Sequence, residues 1–310
     1  MMFARFRQNS PLDWTAVVLA ADRMDVARVR RKAEGRPEVL SIGSVDRSDS
    51  DLAALRILRR GQGLSRRRCT TLLRHGEYQV MQMDTPQVPV EERKEALRWQ
   101  VKDMIDFPVE DITLDTLEIP ETATAGRPPQ CWVVAASNSV LQTRIRLFQD
   151  AKVPLTAIDI PEFCQRNVAA LFEEENRALA MLSFSDDGGL LSFTYRGELY
   201  VSRHIEVTLK QMETSPAERR EALFERVALD VQRSIDNFDR TFSFISLTRL
   251  LVAPVPGVDG LIDSLRSNVS VPVALLDLAH VLDFRKVPEL LEPAHQARSL
   301  RALGAALRSG

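Results

Sequence analysis

Cysteine is scarce in this chain: Cys69, Cys131 and Cys164 are odd in number and far apart. That pattern argues against a disulfide framework or a zinc knuckle and fits buried or free thiols in a reducing compartment. Long apolar runs are missing too. No segment approaches the roughly 18 residues that a membrane span needs. The start, MMFARFRQNSPLDW, has arginines but neither the apolar centre nor the small-residue cleavage site of a secretory signal, so the expected location is the cytoplasm. Net charge is only −2, and no global field draws nucleic acid. The histidines, His75, His204, His280 and His295, lack metal-ligand spacing and stand beside no serine or cysteine nucleophile motif. They read as surface or turn residues.

What is present is a globular composition, 45% hydrophobic and 27% charged over 310 residues. That length exceeds what one hydrophobic core usually reaches, so two lobes are expected. One charge cluster stands out: Arg56, Arg59, Arg60, Arg66, Arg67, Arg68 and Arg74. It reads as a solvated helix face and loop, or as a peripheral contact for anionic lipid headgroups or an acidic partner. No aromatic residues interleave with it as a single-strand nucleic-acid platform requires.

Along the chain, residues 1–12 read as a flexible tail. Strands are expected at Trp14–Ala20, around Val26–Arg31 and at Glu38–Gly43, and a helix over Ser50–Arg60 capped by Ser50 or Asp51. Cys69–Leu73 and Tyr78–Met83 read as two strands across a His75-Gly76 turn. A helix over Val90–Asp106, a strand at Ile112–Ile119 and a mobile loop over Pro120–Gln130 follow. Next come a strand at Trp132–Ala136, a helix over Ser139–Ala151, a strand at Leu155–Asp159 and a helix from Pro161 to Glu173. The polar run EEENR, 173–177, is the expected lobe boundary. Beyond it lie strands at Ala178–Phe184, Leu190–Tyr195 and Leu199–Ile205, joined by turns at Asp186–Gly189 and Arg196-Gly197. Ser215-Pro216-Ala217-Glu218 reads as a capping box opening a long helix with Leu223, Val227, Val231 and Phe238 on one face. A strand at Arg249–Val252, a helix over Val258–Ser267, a strand at Pro272–Leu276 and a short helix over Ser299–Arg308 close the chain.

The stretch RWQVKDMIDFPVEDITLD, 98–115, reads as a helix, a proline stop and a strand. Leu97, Val101, Met104 and Ile105 share a face, and Phe107-Pro108 ends the run because proline lacks an amide hydrogen. The same residues suit an ordinary core helix and the wall of a partner groove equally well. Asp103, Asp106, Glu110 and Asp111 read as a solvated rim, since a helix stop separates them.

Four segments together resemble the PilM-type pilus assembly proteins: 98–115, AIDIPEFCQRNVAALF (157–172), DVQRSIDNFDRTFSFISLTRLLV (230–252) and LRALGAALR (300–308). The order and spacing are similar to the family's, nearest to its mannose-sensitive haemagglutinin (MSHA, MshI-type) branch. The resemblance implies an α/β, actin-like ATPase fold of two lobes, each a sheet flanked by helices with a small inserted subdomain. The lobes would be 13–175, with an insertion at about 87–150, and 176–296, with one at about 206–245. Residues 297–310 would form a helix returning to the first lobe. It also implies a partner: an inner-membrane assembly protein whose N-terminal cytoplasmic peptide lies in a groove between the first lobe and its insertion. Trp99, Ile105, Phe107 and Pro108 are the expected walls.

Working nucleotide sites of such folds bring glycine amides to the phosphates and a carboxylate to the magnesium waters. Here the first strand is followed by Ala20, Ala21 and Asp22, with neither the glycine nor the lysine; Ser183 and Ser185 replace Asp-x-Gly in the second lobe; Ala253-Pro254 replaces the adenosine-side glycines. The expectation is a non-catalytic scaffold without cofactor, catalytic residues or metal. The rival is an active protein holding ATP with magnesium through unfamiliar residues, for which Asp186 or Asp187-Gly188 would have to face the cleft. A third reading is the cytoplasmic part of a type II secretion protein of similar fold, which carries a membrane span after this domain, whereas this sequence ends at Gly310.

Overall fold

The computed structural model describes residues 13–47, 49–120 and 128–309. The expected tail, 1–12, and most of the expected mobile loop lie outside the described residues. In chain order come β1 (Asp13–Leu19), β2 (Arg23–Arg30), β3 (Glu38–Asp46), α1 (Asp51–Gln62), β4 (Cys69–Leu72), β5 (Tyr78–Asp84), α2 (Val90–Gln100), β6 (Ile112–Ile119), β7 (Gln130–Ser137), α3 (Asn138–Asp150), β8 (Leu155–Asp159) and α4 (Pro161–Ala169). Then follow β9 (Ala178–Ser185), β10 (Gly188–Tyr195), β11 (Glu198–Ile205), α5 (Leu209–Thr214), α6 (Ala217–Thr241), β12 (Leu247–Val252), α7 (Leu261–Asn268), β13 (Val273–Leu275) and α8 (Pro293–Ala306).

The strands form two five-stranded sheets, ordered β3-β2-β1-β4-β8 and β11-β10-β9-β12-β13, and one three-stranded sheet, β5-β7-β6. Each large sheet has an antiparallel meander leading into parallel strands. β1 reads as a nearly unbroken apolar run because it is central and covered on both faces. α1 starts where Ser50 caps the Ala53 amide and stops at Gly63, whose left-handed φ of 62° suits glycine. α6 buries Val227, Val231, Ile235 and Phe238 against the second sheet. The segment 206–245 is therefore helical, and its apolar face belongs to that lobe's core.

One apolar cluster runs beneath both lobes. It joins Ala16 and Val18 of β1, Val168 of α4, Met181 of β9, Leu251 of β12 and Leu303 of α8. α8 and α4 touch so closely that a Cβ on Gly304 would lie 2.9 Å from the carbonyl carbon of Cys164 and nearer still to its oxygen. Asn167 Nδ2 donates to Gly304 O at 3.0 Å and Arg31 Nε to Leu307 O at 2.8 Å, tying α8 to α4 and β2. The three cysteines are free and buried, and burial pushes the Cys69 thiol up to about 12.

Several sequence expectations need correction. β4 and β5 do not pair across His75-Gly76: β4 lies parallel between β1 and β8, while β5 pairs with β7 in the small sheet. The small sheet therefore spans Tyr78–Ser137, against the expected 87–150, and α3 buries Phe148 and Ala151 in the first lobe's core. Ser215 closes α5 and makes no capping box with α6, whose N-cap is Pro216; the box is one helix earlier, between Thr208 and Gln211. α2 ends at Gln100 and continues only as a short 3₁₀ turn, Val101–Asp103. α4 stops at Ala169, not Glu173, and α8 starts at Pro293, where proline suits the first helical turn.

Candidate functional site

Between the lobes lies a cleft of about 440 Å³. Its lining includes the β1–β2 turn (Ala20, Ala21), the end of β9 with the turn after it (Ser183 to Asp187), the exit of β12 (Pro254 to Pro256), α5 (Leu209, Glu213) and α8. Of the six positions singled out for a nucleotide, Ala20, Ser183, Ser185 and Pro254 meet here. Asp22 is exposed on the turn and bonds to Arg23 at 3.1 Å, while Ala253 is buried and donates its amide to Leu182 O at 2.8 Å.

Part of the cleft's polar lining is already engaged within the protein, while Asp186, Glu213 and Arg298 have no ion-pair partner among the described residues. The Ala20 amide closes its own hairpin on Arg23 O at 2.9 Å, and the Ala20 carbonyl accepts from Arg47. Buried Asp25 accepts from Ser44 Oγ at 2.7 Å and from Arg23 Nε; burial nonetheless raises its pKa, against the pull of those two donors. Arg301 of α8 donates to Ser185 Oγ at 2.7 Å and to Asp187 Oδ2 at 3.3 Å. Asp186 and Asp187 do face the cleft. Sequence reasoning missed Asp25, Glu213, Arg298 and Arg301, although the i, i+3 spacing of the two arginines on a terminal helix marks them as neighbours on one face.

A magnesium triphosphate can be tried against these residues. Its phosphates need amides at close approach, but Cβ atoms stand at Ala20 and Ala21, the Ala20 amide is taken and Pro254 has none. Its metal waters need a carboxylate; Asp187 is held by Arg301 and Asp25 by Arg23, which leaves Asp186 and Glu213 as the carboxylates of the cleft without a cation partner among the described residues. Among the described residues no group of three or more His, Cys, Asp or Glu side chains is placed to hold a metal ion. The backbone of the cleft does not fit the group's phosphates.

A second cleft, about 360 Å³, opens between β5, the start of α4 and the β10–β11 pair. Tyr78, Gln79, Val80 and Met81 of β5 form one wall, and Met104 stands at its lip. β5 is an edge strand of its sheet. Inside, Tyr78 donates to Glu162 Oε2 at 2.6 Å, and burial raises the pKa of both groups. His75 of the first lobe stacks on His204 of the second, ring centroids 4.2 Å apart. Arg301 lines this cleft as well as the first.

The expected groove residues are not among those lining either cleft. Ile105 and Phe107 are half-buried and pack on the small sheet's apolar cluster with Leu97 and Val133. Trp99 is 63% exposed, Met104 52%, and Pro108 is exposed too.

No protein-family model matches the sequence, and no curated protein matches it. Solved structures do. The chain is similar to the PilM–PilN type IV pilus biogenesis complex, with a TM-score of 0.72 at 17% identity over 95% of this chain and 97% of that one. A protein from Bacteroides thetaiotaomicron with an actin-like ATPase fold and unknown function superposes with a TM-score of 0.52 at 11% identity, over 93% and 99%. The fold is that of the actin-like ATPases. The cytoplasmic domain of EpsL, an inner-membrane component of the Vibrio cholerae type II secretion system, shares it with a TM-score of 0.52 at 14% identity, over 96% of each chain. Within the actin-like fold the first cleft lies between the two lobes, where the sequence reading placed the nucleotide. No helix of the described residues is long and apolar enough to cross a membrane.

Proposed function

We propose that this chain is a non-catalytic scaffold of a type IV pilus assembly machine, of the MSHA type, at the cytoplasmic face of the inner membrane. It captures the N-terminal cytoplasmic peptide of an inner-membrane assembly protein. The carrying observation is a contrast between the two clefts. In the first, Arg301 occupies Ser185 and Asp187, and the Ala20 amide is closed on its own hairpin. In the second an edge strand, β5, lines an open groove. An extended peptide added to such an edge gains main-chain hydrogen bonds, and pockets for alternate side chains give selectivity.

Similarity to the PilM–PilN complex and to the EpsL domain supports this reading through the fold they share. In this reading Met81 and Met104 form the groove walls where Ile105 and Phe107 were expected, and exposed Trp99 stands on the same small subdomain. Fluorescence anisotropy with labelled N-terminal peptides of co-encoded membrane proteins tests it. Met104→Ala, at an exposed site, is expected to weaken capture several-fold with the fold intact. Equal affinity of parent and variant would remove the groove from the account.

A second reading, an ATP-binding protein with a divergent site, is favoured by Asp186 and Asp187 facing the first cleft. Magnesium would then have to be anchored by Asp186, since Asp187 is paired.

A further inference from the structure

The arginine cluster does not act as one unit. Arg68 stacks on Trp14, 3.9 Å from its ring centroid, and Arg74 pairs with Glu77, so these two serve packing and local structure. Arg56, Arg60 and Arg66 are exposed, and Arg59 is half-buried, donating to Ser65 Oγ at 3.0 Å. Arg56 donates to the backbone carbonyl of Asp150, which brings the end of α3 beside α1. The two helices share a shallow indentation of about 310 Å³, lined by Arg56, Arg59, Arg60 and Lys152 against one carboxylate, Asp150.

Ion pairs tell this surface from the rest. At its borders Arg47 pairs with Asp51 and Arg144 with Glu77. Among the described residues, none of Arg56, Arg59, Arg60, Arg66 and Lys152 has a carboxylate partner within ion-pair distance. An apolar residue sits amid these cations: Ile57, between Arg56 and Arg60, is 53% exposed. On the neighbouring helix Ile145 is 39% exposed.

We infer that this face of α1 and the end of α3 is a docking surface for an anionic lipid bilayer. Unpaired cations on a shallow face match a plane of negative headgroups, and each contributes roughly a five-fold gain in affinity. An exposed aliphatic side chain between them enters the boundary between headgroups and acyl chains. Nucleic acid matches less well, because no aromatic side chain lines the indentation for base stacking. The surface lies apart from both clefts and does not depend on the scaffold reading.

Flotation of the full chain with vesicles decides it. Vesicles of phosphatidylcholine with about a third phosphatidylglycerol are expected to carry the protein up, and pure phosphatidylcholine vesicles to leave it behind. The triple variant Arg56→Gln, Arg60→Gln, Lys152→Gln is expected to bind roughly a hundred-fold more weakly. In ~1 M salt, where charges are screened within ~3 Å, binding is expected to disappear. Ile57→Ser should cost a further several-fold. Lys152→Gln alone, expected to weaken binding roughly five-fold, serves as the second variant if the triple one fails to fold. Equal flotation with both vesicle types, no flotation with either, or undiminished binding of a folded variant would each overturn the inference. Tighter binding to duplex DNA than to the anionic vesicles would also overturn it and give the surface to nucleic acid.

Discussion

Arg301 donates to Ser185 Oγ across the interlobe cleft at 2.7 Å, and its other terminal nitrogen reaches Asp187 at 3.3 Å. One side chain from the last helix thereby ties the second lobe's β-hairpin to a helix packed on the first lobe's sheet. A clamshell that opens around a ligand would have to break this tie.

Arg301→Ala should loosen this tie. Both partners of the ion pair are about one-third exposed, so solvent screening reduces the effect to about 1 kcal/mol of folding stability. Urea unfolding measures it, and Arg301→Lys should not restore the loss, because an ammonium lacks the fork that reaches both acceptors. Full rescue by lysine would mean that charge alone matters.

Gly304→Ala tests the joint between α4 and α8. A methyl group there collides with the backbone of Cys164, which cannot swing aside as a side chain can. A loss of about 1–3 kcal/mol is expected from such overpacking, visible as a lower melting temperature. A variant as stable as the parent would show that the two helices are farther apart than described.

The stacked histidines give a pH dependence with a definite sign. Burial, then the charge of His75, lowers the pKa of His204 below its ordinary 6.5, while Glu206 and Asp187 pull the other way and Arg301 adds to the lowering. The unfolded chain therefore takes up this proton more readily. The His204 contribution to stability is fully present above pH 6.5 and is lost as pH falls through the lowered folded value. His204→Gln should flatten the decline in urea midpoint as pH falls below 6.5. Parallel profiles for parent and variant would show that His204 is not the group responsible.

Much of the fold was legible because its strands and helices carry their own period. β1, β9 and β10 are apolar runs bounded by turns, and the turn at Asp186-Asp187 is where the chain reverses. Pairing was not legible: β4 and β5 are neighbours in sequence, yet β5 joins β7 about 50 residues on, and no local signal separates a hairpin from two strands of different sheets. Helix ends were misplaced where two starts compete, as when Thr208 with Gln211 made the capping box expected of Ser215 with Glu218. At the candidate sites, Ala20, Ser183, Ser185 and Pro254 could be placed through the resemblance, by counting along the strands from its motifs. Arg301 and Asp25 could not, because their roles depend on α8 and β2 meeting the second lobe in space. Ile105 and Phe107 carried the apolar signature of a groove and of a core alike, and both are half-buried against the small sheet's apolar cluster.

Titration calorimetry with ATP and magnesium bears most directly on the proposed scaffold, since the proposal rests on the cleft not holding a triphosphate. The expected result is no saturable heat up to millimolar nucleotide. A saturable signal in the micromolar range, abolished by Asp186→Asn, would contradict it and establish the divergent ATP site instead.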